Sequence, residues 1–161
     1  MAGGGLTDRA GAFVHVRATC WRAVERGREA AALNGSIRAG RYNRPGRPTL
    51  YMSGSRWGVA AAMERYGDAP RTLVRLLVDA PELVDLRDGA SCAELGIDPV
   101  RAGEDWLAPL ERGGELPSWA VADRARAAGA AGLVDASRRL PGAWHLVLFR
   151  WRPGVTVRVV E

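Results

Sequence analysis

Apolar and polar residues alternate with a period of two in several short stretches of this chain, and recur with a helical period in fewer. Alternation predicts strands at residues 13–17 and 20–24, the second in the core, with Arg22 on the face opposite Trp21 and Ala23. Thr49-Leu-Tyr-Met predicts a further strand that points Tyr51 away from Leu50 and Met52. Thr72-Leu-Val-Arg-Leu-Leu-Val predicts a strong strand ended by Asp79-Ala-Pro81, with a short edge strand at residues 83–86. Strands at residues 133–136, 145–151 and 155–160 complete the set. Helical spacing predicts a helix over residues 56–66, capped by Ser53 or Ser55. Trp57, Ala60, Ala61 and Glu64 share one face of it, and Val59, Ala62, Met63 and Tyr66 the adjacent one. A second helix starts at Pro117-Ser118 and stops at Gly129. Residues 34–48 are rich in turn formers, and residues 91–116 predict short helices separated by glycine and proline. No regular βαβ repeat is present. The expected class is therefore α+β: a compact single domain over residues 13–161 with a bent or split mixed β-sheet core and flanking helices, after a disordered tail at residues 1–12.

Composition changes this picture little. At 161 residues and 17.3 kDa, one domain with one sizeable core is expected. No run is long and apolar enough to span a bilayer, and the first ten residues lack the pattern of a secretory signal, so a cytoplasmic protein is expected. Cys20 and Cys92 are expected to remain unpaired. Charge matters more. The net charge is +5, and all 23 basic residues are arginine. They are scattered from Arg9 to Arg158 with acidic residues between them, which suits an anionic small ligand or an acidic protein partner as well as it suits nucleic acid.

The candidate chemistry concentrates in Arg41-Tyr42-Asn43-Arg44-Pro45-Gly46, Tyr51 and Glu64. Arg41 follows a glycine that permits close ligand approach, and its guanidinium matches a diphosphate; the competing reading is a turn arginine facing water. Asn43 either contacts ligand or bonds the turn backbone. Tyr51 is either a core residue or a ring stacked on a nicotinamide or nucleobase. Glu64 falls where the helix pattern calls for an apolar residue, and an ionised carboxylate there needs a partner such as Arg22, Arg41 or Arg75. Alternatively it stabilises an oxocarbenium-like centre or deprotonates an attacking hydroxyl. Ser137, just beyond a strand end and beside Arg138 and Arg139, is a candidate phosphate or ribose contact. His145, alternating with apolar residues, reads as structural. Two separated histidines and two separated cysteines make no zinc site, and no dinucleotide fingerprint, Walker loop or nucleophile elbow is present.

Taken in order, these motifs resemble the RES-domain toxin family of bacterial toxin–antitoxin systems over roughly residues 20–153. Trp21-Arg22 matches the family's opening strand with arginine. Gly40-Arg41-Tyr42-Asn43 with Gly46 matches its Gly-Arg-Trp-Asn turn, with Tyr42 in place of tryptophan. Tyr51 and Glu64 match its strand tyrosine and helix glutamate. Val134 to Ser137, Pro141-Gly142 and His145 to Phe149 match its late strand–serine–glycine–strand pattern. The chain departs from the family at Ser55-Arg56-Trp57-Gly58, and at Trp144-His145, where a Gly-Asn-like pair is common. The resemblance implies an ADP-ribosyltransferase-like fold that holds NAD as co-substrate between bent sheets. It further implies NAD binding by Arg22, Arg41, Asn43, Tyr51 and Ser137, and catalysis by Glu64, Tyr51 and Arg41. Cleavage of the nicotinamide–ribose bond is the implied chemistry. The favoured outcome is mono-ADP-ribosyl transfer to a protein, as some members modify the enzyme that makes phosphoribosyl pyrophosphate. The alternative is an NAD glycohydrolase or phosphorylase that depletes free NAD, and a non-catalytic nucleotide- or nucleic-acid-binding protein is a third reading. An Xre-type antitoxin partner in a heteromeric complex is implied as well, with no membrane and no nucleic acid bound by the toxin itself.

Overall fold

The computed structural model describes residues 6–161. Seven strands form one sheet: β1 (Leu6–Ala10), β2 (Phe13–Glu25), β3 (Leu50–Ser53), β4 (Arg71–Asp85), β5 (Gly132–Ala136), β6 (Trp144–Leu148) and β7 (Thr156–Val160). Four helices lie between them: α1 (Arg56–Met63), α2 (Gly89–Glu94), α3 (Leu107–Glu111) and α4 (Pro117–Ala127). The strand order is β1-β2-β3-β6-β5-β4-β7, and β2 also pairs with β4. That extra pairing closes β2, β3, β6, β5 and β4 into a ring, with β1 and β7 added at β2 and β4. The core sheet is therefore continuous and closed, not split. Only β4–β5 is parallel; every other pairing is antiparallel.

Length accounts for the closure. The two expected segments at 13–17 and 20–24 are one 13-residue strand, and Pro81 does not end the 15-residue β4. The register between these two strands slips by one residue between Val14↔Leu83 and Val16↔Ala80. Pro81 and Glu82 occupy this bulge, where Pro81 owes no ladder hydrogen bond and Glu82 takes a left-handed φ of 58°. Past the bulge, β4 pairs in parallel with β5 through Leu83↔Gly132. The expected tail over residues 1–12 is corrected as well: Leu6–Ala10 pairs antiparallel with β2, and the first five positions lie outside the described residues.

Period-two alternation divides the apolar residues into two clusters. Cys20, Leu50, Met52, Leu76, Val134, Leu146 and Leu148 fill one side of the sheet. Leu133 and Val147, of opposite parity, pack with Tyr42 and with Val121, Ala122 and Ala125 of α4 on the other. Neighbouring side chains of that second parity that are polar, and so not absorbed by either core, are left to build a cavity.

Candidate active site

The cavity begins with the turn before β3. Asn43 is fully buried. Its Nδ2 donates to the carbonyls of Arg38 (2.8 Å) and Arg44 (3.2 Å), and its Oδ1 accepts from the Tyr51 hydroxyl at 2.6 Å. The same hydroxyl accepts from the Tyr42 backbone N–H at 3.1 Å. A Cβ on Gly40 would lie 2.8 Å from Asn43 Oδ1 and 3.1 Å from Tyr51 Oη, so glycine is needed there for space. Helix α4 pins the turn from outside: Trp119 Nε1 donates to the Gly40 carbonyl at 2.8 Å, and the Ser118 hydroxyl donates to that of Arg41. Arg44 pairs with Asp123 and Glu115 and lies over the Trp119 ring.

Beside this turn is a cavity of about 460 Å³, in the size range of small-molecule sites. Six arginines line it: Arg22, Arg38, Arg41, Arg65, Arg138 and Arg139. Asp135 is the one carboxylate in the lining among the described residues, and it is already engaged by the Tyr42 hydroxyl and by Arg138 at 2.7 Å. Arg22 Nη1 donates to the Tyr51 carbonyl at 2.8 Å, whereas its buried Nε has no partner among the described residues. Arg41 Nη1 donates to the Ala102 carbonyl at 2.8 Å, and its guanidinium lies over Trp106. Arg65 also lies over Trp106, and its buried Nη1 has no partner among the described residues. Burial lowers the pKa of both Arg22 and Arg41; for Arg41 the neighbouring Arg138, and to a smaller extent Arg65, push the same way. Guanidinium stays charged through such shifts, so both arginines remain cations despite their burial.

Three adjacent strands supply a polar row. Ser53 on β3, His145 on β6 and Asp135 on β5 are in register, and all three line the cavity. His145 Nδ1 and Ser53 Oγ are 2.7 Å apart. Burial lowers the His145 pKa, outweighing the attraction of Asp135, and Arg138 and Arg41 add to the lowering. Burial also raises the Tyr51 phenol, which stays neutral.

The structure brings Arg22, Arg41, Asn43, Tyr51 and Ser137 to this one cavity. Asn43 has its amide committed to the turn and to Tyr51, which is the turn-stabilising alternative. Ser137 Oγ accepts from Leu140 N–H at 3.1 Å, holding the loop that presents Arg138 and Arg139. Glu64 is the departure. Helix α1 ends at Met63, Glu64 opens a 3-10 turn through Tyr66, and its side chain is 65% exposed. It is neither mid-helix nor buried among apolar residues, and Trp57 on its expected face is 78% exposed. Its partner is Arg139, at 2.6 Å, not Arg22, Arg41 or Arg75. Because Arg139 lines the cavity, Glu64 is joined to the rim, while the next residue, Arg65, faces in. Sequence reasoning missed Arg65, Trp106, Asp135 and the lining role of His145. For Asp135 a signal existed, a charge in the apolar strand Leu133-Val-Asp-Ala. Trp106, in a loop remote in sequence, left none.

No curated protein matches this sequence. A chain of the M. tuberculosis MbcT–MbcA toxin–antitoxin complex shares its fold, with a TM-score of 0.65 and 22% identity over 90% of this chain and 82% of that one. The RES domain profile matches residues 19–161, which includes the arginine-lined turn, Tyr51, Glu64 and Ser137. The chain belongs to the RES domain family, the NAD-consuming toxin family that its motifs resemble.

Proposed function

We propose that this protein is a toxin that consumes free NAD, cleaving the nicotinamide–ribose bond with water or inorganic phosphate as acceptor. The observation that carries the reading is the cavity: six guanidiniums face one occupied carboxylate, and two buried N–H groups have no partner. A dinucleotide diphosphate would supply the missing acceptors and the missing negative charge. Arg138 and Arg139 are paired with Asp135 and Glu64, and the four arginines left still exceed the charge of one diphosphate, which leaves room for a phosphate acceptor. This favours consumption of NAD over the transfer onto a protein that the sequence alone suggests, and the family membership supports an activity on NAD.

The nicotinamide nitrogen is cationic in the substrate and leaves neutral, so departure needs no acid. Positive charge moves onto the ribose, and Glu64 is the carboxylate to stabilise it. Water as acceptor yields ADP-ribose and releases a proton; phosphate yields the phosphate ester of ADP-ribose. Arg139 holds Glu64 at the rim, and a ligand anion that takes over Arg139 frees Glu64 to turn toward the ribose. Arg22 and Arg41 hold the diphosphate, Tyr51 packs a ring, and Ser137 positions its loop.

The test is release of nicotinamide from labelled NAD by the purified protein, with and without phosphate, and with cell extract to detect labelled protein. Turnover abolished in Glu64→Gln is the expected result. Release of no nicotinamide under any condition overturns the enzyme reading, and label appearing only on a protein restores the transferase reading.

The likeness to a toxin–antitoxin complex supports a cognate partner for this chain, of the Xre type implied by its motifs. An acidic side chain or chain terminus from that partner would occupy the arginine donors near Arg41 and block the cavity. Co-expression with the adjacent reading frame, followed by light scattering and the NAD assay, is expected to give an inactive heteromer. A neighbour that neither binds nor inhibits refutes this part alone.

A further inference from the structure

Two guanidiniums share one indole in this cavity. Arg41 lies 5.4 Å and Arg65 4.9 Å from the centroid of the Trp106 ring. A single aromatic face stabilises a cation by about 0.5–2 kcal/mol, which is modest against the repulsion of two like charges brought together away from water. Arg41 offsets part of this through the Ala102 carbonyl. Arg65 does not: among the described residues no carboxylate pairs with it, and its buried Nη1 has no acceptor. Its neighbour Glu64, the nearest carboxylate in sequence, is turned outward onto Arg139. Within the 3-10 turn Glu64 points outside and Arg65 inside, so the fold orients a charged, unsatisfied donor into the cavity.

We propose that Arg65 is a phosphate-binding residue of this site, which grips a phosphoryl group of the nucleotide jointly with Arg41 while Trp106 holds both guanidiniums in place. The inference deepens the NAD reading and rests on it for the identity of the nucleotide. The chemistry it requires is narrower: a multiply charged phosphate anion. Such an anion supplies the acceptor that Nη1 lacks and removes the repulsion between the two arginines. The indole keeps the guanidiniums ordered before binding, so little side-chain entropy remains to be lost. Arg65 acts in binding and not in bond cleavage.

The experiment uses inorganic pyrophosphate and ADP-ribose as calorimetric probes on the full chain, with Arg65→Gln, Arg65→Lys and, as a control outside the cavity lining, Arg112→Gln. Arg65→Gln is expected to weaken pyrophosphate binding tenfold or more and to flatten its salt dependence, whereas Arg112→Gln leaves both unchanged. Arg65→Lys recovers part of the affinity, since it keeps charge without the planar fork. In turnover, Arg65→Gln raises KM for NAD by a similar factor and leaves kcat within threefold. Pyrophosphate affinity within twofold of the wild type in Arg65→Gln, or no binding by the wild type, overturns the proposal. A loss confined to kcat overturns the binding role too. Should Arg65→Gln fail to fold, Arg65→Lys decides: affinity at least threefold weaker supports the proposal and unchanged affinity defeats it. Pyrophosphate binding through Arg65 without nicotinamide release would leave this site standing and remove the NAD reading.

Discussion

Tyr51 holds the candidate site together through a single oxygen, which donates to Asn43 Oδ1 and accepts from Tyr42 N–H. Tyr51→Phe keeps the ring and strands both partners, one of them on a fully buried side chain. A loss of about 2 kcal/mol in urea unfolding is expected, since each unsatisfied buried group costs about 1–3 kcal/mol. His145 supplies a pH signature. Its folded pKa lies below the ordinary 6.5 because burial disfavours the imidazolium. The unfolded chain therefore binds the proton more readily, and stability rises with pH through this range. The contribution is fully present above the unfolded value and is lost as pH falls through the folded one. Unfolding measured at pH 7.5 and pH 5 should show this loss in the wild type and a smaller one in His145→Gln. An equal loss in both would assign it to other groups.

At the scale of elements, α1 and the 3-10 turn after it decide where the charges at residues 64 and 65 point. Ser55 caps α1, accepting from Gly58 N–H at 3.0 Å, and eight residues later the helix tightens. A continued α-helix with a buried face is what the apolar spacing at 57, 60, 61 and 64 suggests, but that face is turned to solvent already at Trp57. Glu64, on the same side, lies in an exposed ion pair with Arg139. Exposed pairs contribute about 0–1 kcal/mol. Glu64→Gln is accordingly expected to shift the unfolding midpoint only slightly while removing NAD turnover. A large drop in thermal stability would instead make Glu64 a structural residue and weaken its catalytic assignment.

Across the whole molecule, the closed ring of strands sets the site. The registers Ser53↔His145 and His145↔Asp135 align three polar side chains that are separated by up to 92 positions in the sequence. Close approach of β5 and β6 maintains this alignment, and Gly132 is its tightest point. A Cβ there would lie 2.1 Å from the Val147 carbonyl oxygen and 3.0 Å from Leu148 Cα. Backbone cannot move aside as a side-chain tip does, so Gly132→Ala is expected to destabilise the fold by about 3 kcal/mol, at the upper end of usual overpacking effects. A melting curve, or the soluble yield on expression, checks this; an unchanged midpoint would show that the strands can part without loss.

Much of the site was legible along the chain. Period-two alternation located β3, β5 and β6, turn chemistry located the segment around Gly40 to Gly46, and the family motifs singled out Arg22, Arg41, Asn43, Tyr51, Glu64 and Ser137. These signals are local, because alternation, capping and turn preferences depend on neighbours a few residues away. The rest depended on long-range geometry. Pro81 looked like a strand end until the bulge against β2 showed that no ladder hydrogen bond was required of it. Arg65 and Trp106, 41 positions apart, became one feature only when the 3-10 turn and the loop before α3 met. Residue types and spacing determine that this chain carries arginines, a tyrosine and a carboxylate suited to a phosphorylated ligand. Which arginines keep an unsatisfied donor inside, and which side of the rim the carboxylate takes, is decided by tertiary packing, because burial and pairing are properties of the closed sheet and not of any segment within it.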